Sequence, residues 1–378
     1  MIIHIYLDAI SRKNGGSSSI LDIANALINL GYKVKIFTFF GKLDKFIYKA
    51  EDFNHFNKVF FHNRKLLMKN KKSKLALIMS YFFTQEKPDI IIDNIHLDEV
   101  HNSKKKAKIK YILNHAGSKD AFENNFIKNY PLKYLDFIKS YDGSLFQSKN
   151  QLNVLKGIIK INKSKLHHLY PSISVKQVNY YSDFQSPFNI NKKLNICIIG
   201  SIQPRKGQAK LLDIIEKMND YNDHVDFYLI GAIIDEKYFK SILNTIELRN
   251  ITNLKILGHR KDYINYIQHS DLIMQLSESE GISRIIRESF YLKVPFITFD
   301  IIGSDEIFTN NINSFVVNEG DTNKITEILT DILNNKIDLN ISKLNARRTF
   351  DEKFNHINYE KTLKKIILKN YPLSTPEK

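Results

Sequence analysis

The apolar positions of this chain follow two alternating patterns. Short runs rich in apolar residues at 2–7, 34–39, 87–92, 108–113, 194–199, 227–230, 254–257, 272–276 and 294–299 read as buried strands of parallel sheets. Between them come stretches with helical spacing. The clearest is Ile20, Ile23, Ala24, Leu27, Ile28 and Leu30, closed by Gly31 as the glycine after the helix end. Further helices are expected over 209–218, 261–269, 284–292 and 350–369. Strand and helix in alternation predict an α/β architecture. A polar, irregular stretch over 179–193 is the best linker candidate, and 378 residues are long for a single core.

Two loops stand out against this frame. After the run 272–276 comes Ser277-Glu278-Ser279-Glu280-Gly281-Ile282-Ser283-Arg284-Ile285-Ile286-Arg287-Glu288. Gly281 breaks the strand, and Ser283 is a good N-cap for the helix that follows. The first N–H groups of that helix make an anion site at the carboxyl end of a strand, where open α/β sheets bind ligands. Glu280 before the helix and Glu288 inside it then suit a ligand with both hydroxyls and phosphates. Two Glu at this spacing taken alone also fit solvated or capping residues. The second loop, Gly200-Ser201-Ile202-Gln203-Pro204-Arg205-Lys206-Gly207-Gln208, runs from a strand through an Arg-Lys-Gly turn into a helix. It reads as a phosphate clamp: cations beside a backbone that can be approached closely. At the start of the chain Gly15-Gly16 also joins a strand to a helix, without the full Gly-x-Gly-x-x-Gly pattern.

Glu280-Gly281 with Glu288, followed by Val294-Pro295, Gly303-Ser304-Asp305-Glu306-Ile307 and Gly320-Asp321, resembles the retaining GT-B-fold glycosyltransferases of family 4 (group 1). Leu27, Gly31-Tyr32-Lys33-Val34 with Thr38, and Lys87-Pro88-Asp89, extend the resemblance more loosely to the first half. The resemblance implies two Rossmann-like domains facing each other across a cleft, with a C-terminal helix crossing back to the first. The expected bounds are 1–187 for an acceptor-side domain, 188–355 for a nucleotide-sugar domain, and 356–378 for the crossover helix and tail. It implies a hexosyltransferase that moves a sugar from a nucleotide-diphosphate sugar to a glycan or lipid-linked acceptor of the cell envelope, such as capsule or O-antigen. Glu280 would balance positive charge on the sugar, and Glu288 would hold the ribose. Lys206, Arg205 and the amides from Gly281, Ile282, Ser283, Arg284 and Ile285 would meet the diphosphate. Gly15 and Gly16 would approach it from the other domain, while His259 and Arg260 would lie beside the base. His115 is the expected catalytic histidine, with His96 and His101 as competitors. Ser201 stands where the group commonly has Arg, which leaves open whether Arg205 substitutes. An epimerase or hydrolase using the same donor site, and a catalytically silent subunit, are the alternative readings.

Charge adds an asymmetry. Of the net +16, residues 1–187 hold 30 basic against 15 acidic side chains, leaving +1 for the rest. Arg64, Lys65, Lys69, Lys71, Lys72 and Lys74 crowd beside apolar residues, which fits either contact between the N-terminal domain and an anionic membrane or an ordinary helix solvated on one face and packed on the other. No nucleic-acid partner is expected. The sequence contains no Asp-x-Asp and no His/Cys ligand cluster, so no catalytic metal and no cofactor are expected. The lone Cys197 sits in an apolar run and reads as a small buried hydrophobe. With no signal peptide or spanning run evident, the chain reads as cytoplasmic, peripheral on the inner membrane face.

Overall fold

The computed structural model describes residues 1–9, 15–40, 58–60, 88–94, 110–115, 138–158, 162–173, 188, 194–301 and 303–371. Of 7–9, 15–18, 37–40, 58–60, 111, 113, 115 and 158 the backbone alone is described. The chain divides into two compact units: Met1–Ser172 with His356–Lys378, and Ile173–Asn355. The division falls at 172/173, upstream of the expected 187/188, and 174–187 lie outside the described residues. So do His96, His101 and the basic segment 64–74.

Among the described residues unit 1 has seven parallel strands: β1 (Ile2–Ala9), β2 (Lys33–Phe40), β3 (Lys58–Phe60), β4 (Ile90–Asp93), β5 (Lys110–His115), β6 (Gly143–Phe146) and β7 (Leu166–His168). Their order in the sheet is β3-β2-β1-β4-β5-β6-β7. The order therefore reverses between β1 and β4, the switch point of a doubly wound sheet. Ile3 and Ile5 of β1, Ile90 and Ile92 of β4, and Ile112 of β5 bury one face against helix α1 (Gly15–Asn29). Alternate residues His4 and Tyr6 are buried on the other side, as a two-residue period requires. Helix α2 (Lys149–Ile158) follows β6. Gly15 and Gly16 are the first two residues of α1, so the expected glycine turn is instead the helix's opening turn. His115 is the last residue of β5, since that strand runs two residues later than its apolar run predicts.

Unit 2 repeats the plan with six parallel strands. They are β8 (Leu194–Ile199), β9 (Val225–Ile230), β10 (Leu254–Gly258), β11 (Leu272–Gln275), β12 (Phe296–Phe299) and β13 (Ser314–Val317), ordered β10-β9-β8-β11-β12-β13. The switch point lies between β8 and β11. Helices α3 (Ala209–Lys217), α4 (Glu236–Leu248), α5 (Tyr263–His269), α6 (Arg284–Tyr291), α7 (Thr322–Leu333) and α8 (Leu339–Lys353) alternate with the strands or follow them. One core joins Ile196, Ile198, Phe227, Met274 and Phe299 to Leu211, Leu212 and Ile215 of α3 and Ile325 and Leu329 of α7. Cys197 is fully buried on the opposite face, and that desolvation raises its thiol pKa far above the usual range.

The expected single helix over 350–369 is two. Helix α8 ends at Lys353, and α9 (His356–Asn370) belongs to unit 1. There Tyr359, Leu363, Ile366 and Ile367 join the same core as α1. Asn29 donates to Glu360 at 2.7 Å, and His167 bonds the Tyr371 hydroxyl at 2.8 Å. Gly143 lies beneath that tyrosine, where a Cβ would come within 1.6 Å of its oxygen and oblige the ring to move.

Candidate functional site

Because every strand of unit 2 is parallel, the loops after β8 and β11 leave the same edge of the sheet on either side of the switch point. The loop after β8 forms a single 3₁₀ turn, Pro204–Lys206, with the proline at its start. Gly207 ends it at φ 66° in the left-handed region. A Cβ at that position would lie 2.0 Å from the Leu276 carbonyl oxygen, so only glycine lets this turn press against the end of β11.

Several ties then join the two loops. Glu278 N–H donates to the Arg205 carbonyl at 3.1 Å, and the Arg205 guanidinium donates to the Ser279 carbonyl. The Lys206 ammonium pairs directly with Glu280, whose Oε1 also accepts from the Ser277 hydroxyl at 2.9 Å. The pair retains some access to water, with side-chain exposures of 19% and 10%. Lys210 lies 3.7 Å from Glu278 at the outer edge. Lys206 and Glu280, 74 residues apart in sequence, are thus brought together by topology.

The Ser283 hydroxyl caps α6 by accepting from the Ile286 amide, in agreement with its reading as N-cap. The earlier amides of such a helix start have no intrahelical acceptor, so they remain suited to an anion. Inside the helix Glu288 is buried to 1% exposure. Its Oε1 accepts from Arg284 Nε at 2.6 Å and from the Tyr263 hydroxyl at 2.8 Å. Its Oε2 is buried without a hydrogen-bond partner, a condition that a ligand hydroxyl would relieve.

The remaining expected residues fall elsewhere. His259 is exposed after β10. Arg260 is also exposed, forked onto Asp262 at 3.0 and 2.9 Å and stacked over the Tyr266 ring. Ser201, at the place where an arginine is common in the resembled group, accepts from Gln203 through its hydroxyl and from Gln208 through its carbonyl. Arg205 is exposed and committed to the other loop's backbone. Gly15, Gly16 and His115 belong to unit 1, the glycines following switch strand β1 and His115 ending β5, the neighbour of switch strand β4.

Three supporting residues escape a reading of the sequence. Ser277 orients Glu280 and Tyr263 orients Glu288. Tyr238 of α4 accepts from the Ala209 amide at 2.8 Å, holding the start of α3 behind the Lys206 turn. Burial raises the Tyr238 phenol pKa, which keeps it protonated. Among the described residues, no group of three or more His, Cys, Asp or Glu is placed to hold a metal ion.

Comparison with known proteins joins this geometry to a family. Residues 182–349 match the family Glycosyl transferases group 1. The capsular polysaccharide biosynthesis glycosyltransferase CapM of Staphylococcus aureus is 22% identical over 165 residues, 44% of this chain and 43% of CapM. The match thus spans less than half of that relative. An uncharacterized glycosyltransferase of Methanocaldococcus jannaschii, MJ1059, is 23% identical over 66% of this chain and 68% of its own. Among solved structures, Anabaena Alr3699/HepE in complex with UDP and glucose superposes with a TM-score of 0.77 at 16% identity, covering 98% of this chain and 100% of that one. The chain has the GT-B fold, and the similarity to glycosyl transferases group 1 lies over its residues 182–349.

Proposed function

We propose that this protein is a retaining, metal-independent hexosyltransferase of the family 4 kind, moving a sugar from a nucleotide-diphosphate sugar to a glycan or lipid-linked acceptor. Capsule-type polysaccharide assembly is the context, in keeping with relatives such as CapM. UDP is the first nucleotide to try, because the Anabaena structure holds it. The observation that carries the reading is the Lys206–Glu280 pair at the β8/β11 switch point, beside the start of α6.

Breaking the bond from sugar to diphosphate builds negative charge on the leaving group and positive charge on the sugar. Groups that meet those charges more strongly in the transition state accelerate the step. Lys206 would exchange Glu280 for the diphosphate, with Arg205 and the amides over 281–285 adding donors. Glu280, still held by Ser277, would then turn to the sugar. Glu288 would use its unsatisfied Oε2 on a ribose hydroxyl, and His259 and Arg260 would border the base. Gly15, Gly16 and His115 would act from unit 1, His115 as the acceptor-side catalytic residue. With the diphosphate met by side chains and amides, a metal or cofactor would not be needed. The enzyme would work in the cytoplasm, with the basic segment around Lys69, Lys71, Lys72 and Lys74 at the inner membrane face.

Titration calorimetry with UDP and a panel of UDP-sugars tests this reading. Binding that survives chelator, together with sugar transfer that survives it, is the expected result. Absence of binding by any nucleoside diphosphate would remove the proposal. Consumption of the nucleotide-sugar with no acceptor present would point to a hydrolase or epimerase.

A further inference from the structure

Helix α9 has two faces of different chemistry. Its inner face is the apolar row that completes the core of unit 1. On the opposite side Ile357, Lys361, Lys364 and Leu368 follow at i, i+4, i+7 and i+11, which stacks them into one stripe roughly 16 Å long. All four are exposed, Ile357 by 61% and Leu368 by 51%, and exposed Lys365 and Lys369 flank them. The helix's one acidic residue, Glu360, is turned toward Asn29 and His356. Among the described residues no ion pair engages Lys361, Lys364, Lys365 or Lys369.

The charge of the whole chain follows the same division. Unit 1, including this helix, holds 34 basic and 16 acidic side chains, a net +18. Unit 2 holds 22 basic and 24 acidic, a net −2. A general lysine bias would load both units. Instead the last helix, which follows a slightly acidic unit in sequence, carries its lysines to the basic one.

We infer that the outer face of α9 docks on an anionic lipid surface. Ile357 and Leu368 enter the boundary between headgroups and acyl chains while the four lysines meet lipid phosphates. Positive charge alone would suit any polyanion. Two exposed aliphatic side chains at the two ends of the basic stripe fit a lipid surface better, because only that partner has an apolar layer beneath its charge. No helix among the described residues is long and apolar enough to cross a membrane, so this contact is interfacial. Such docking does not depend on which sugar is transferred.

Co-sedimentation of the full chain with vesicles tests it, using phosphatidylglycerol mixed with phosphatidylcholine against phosphatidylcholine alone. Wild type should bind the anionic vesicles and release as salt rises. The variant K361Q/K364Q/K365Q/K369Q should lose binding by at least tenfold, each lysine counting for about fivefold near a charged surface. I357S/L368S should weaken binding several-fold at high salt, where the apolar contribution dominates. Both variants alter exposed side chains, and unchanged thermal midpoints and UDP affinity would confirm intact folding. Equal sedimentation of wild type and the lysine variant overturns the inference. So does binding to soluble polyphosphate without binding to vesicles. A loss seen only on changing Lys69, Lys71, Lys72 and Lys74 would move the membrane contact to that segment and overturn it as well.

Discussion

The two units share a plan and differ in nearly everything placed upon it. Both are parallel, doubly wound sheets whose order reverses after the third strand from one edge. At that reversal unit 2 puts an ammonium against a carboxylate, with a second, buried carboxylate one helix turn on. Unit 1 puts there a helix that opens on two glycines and, from β5 one strand further on, Asn114 donating to Asn94 at 2.8 Å beside the strand's end at His115. Unit 2 is near neutrality while unit 1 carries +18. The topology fixes where a ligand can sit; the side chains at that edge decide what is done to it. Chemistry on phosphate and sugar needs a few well-placed charges, whereas holding a large anionic partner needs many loosely placed ones.

That contrast can be broken experimentally, most severely at Glu280. Glu280→Gln keeps shape and loses charge, and should cut turnover by about 10²–10³ while UDP affinity stays within a few-fold. A comparable loss in affinity would make Glu280 a binding residue.

Acid should separate the units next. His4 of unit 1 is buried, and burial with the nearby Lys35 charge lowers its pKa to about 3. Burial also lowers His167. The three histidines of unit 2, His224, His259 and His269, are exposed. A histidine kept neutral in the fold contributes full stability above its unfolded pKa of about 6.5 and loses it as pH falls toward the folded value. For His4 the loss should reach about 3 kcal/mol by pH 4. Hydrogen exchange at pH 7 and pH 4.5 should therefore show β1 and β4 opening before β8 and β11. Simultaneous opening would mean that the units do not differ in this respect.

Lys206→Ala should weaken UDP binding by about 1.5–3 kcal/mol in calorimetry, the range for a charge-assisted bond. An unchanged constant would move the diphosphate elsewhere. The smallest effect belongs to Tyr263→Phe, which removes one of the donors on Glu288. It should reduce UDP affinity by about 0.5–1.5 kcal/mol with turnover at saturation preserved. A fall in turnover alone would show that Glu288 serves the reaction and not the ribose.

Much of this was open to a reader of the sequence. Nine apolar runs matched strands, eight of them to within two residues at either end, while β3, β6, β7 and β13 lay outside those runs; Ser283 declared the start of α6. Glu280, Glu288, Lys206 and Gly207 were marked by the turns that hold them. Where the reading erred, the cause was physical. The apolar face of α8 leads into that of α9 across Phe354-Asn355, so period alone joins two helices that belong to different units. Gly15 and Gly16 look like a turn because glycine weakens helices, yet they lie in the first turn of α1.

Local pattern therefore determined the strands, the helix cap and the types of residue in the two loops, because each depends on neighbours a few positions away. Pairings across long sequence distances were decided only in three dimensions. Lys206 meets Glu280 because β8 and β11 are adjacent strands. Tyr263 meets Glu288, and the lysines of α9 join the basic unit, because packing of apolar faces sets which elements become neighbours. No spacing in the chain encodes those neighbours, since burial rewards apolar area without naming the partner that covers it.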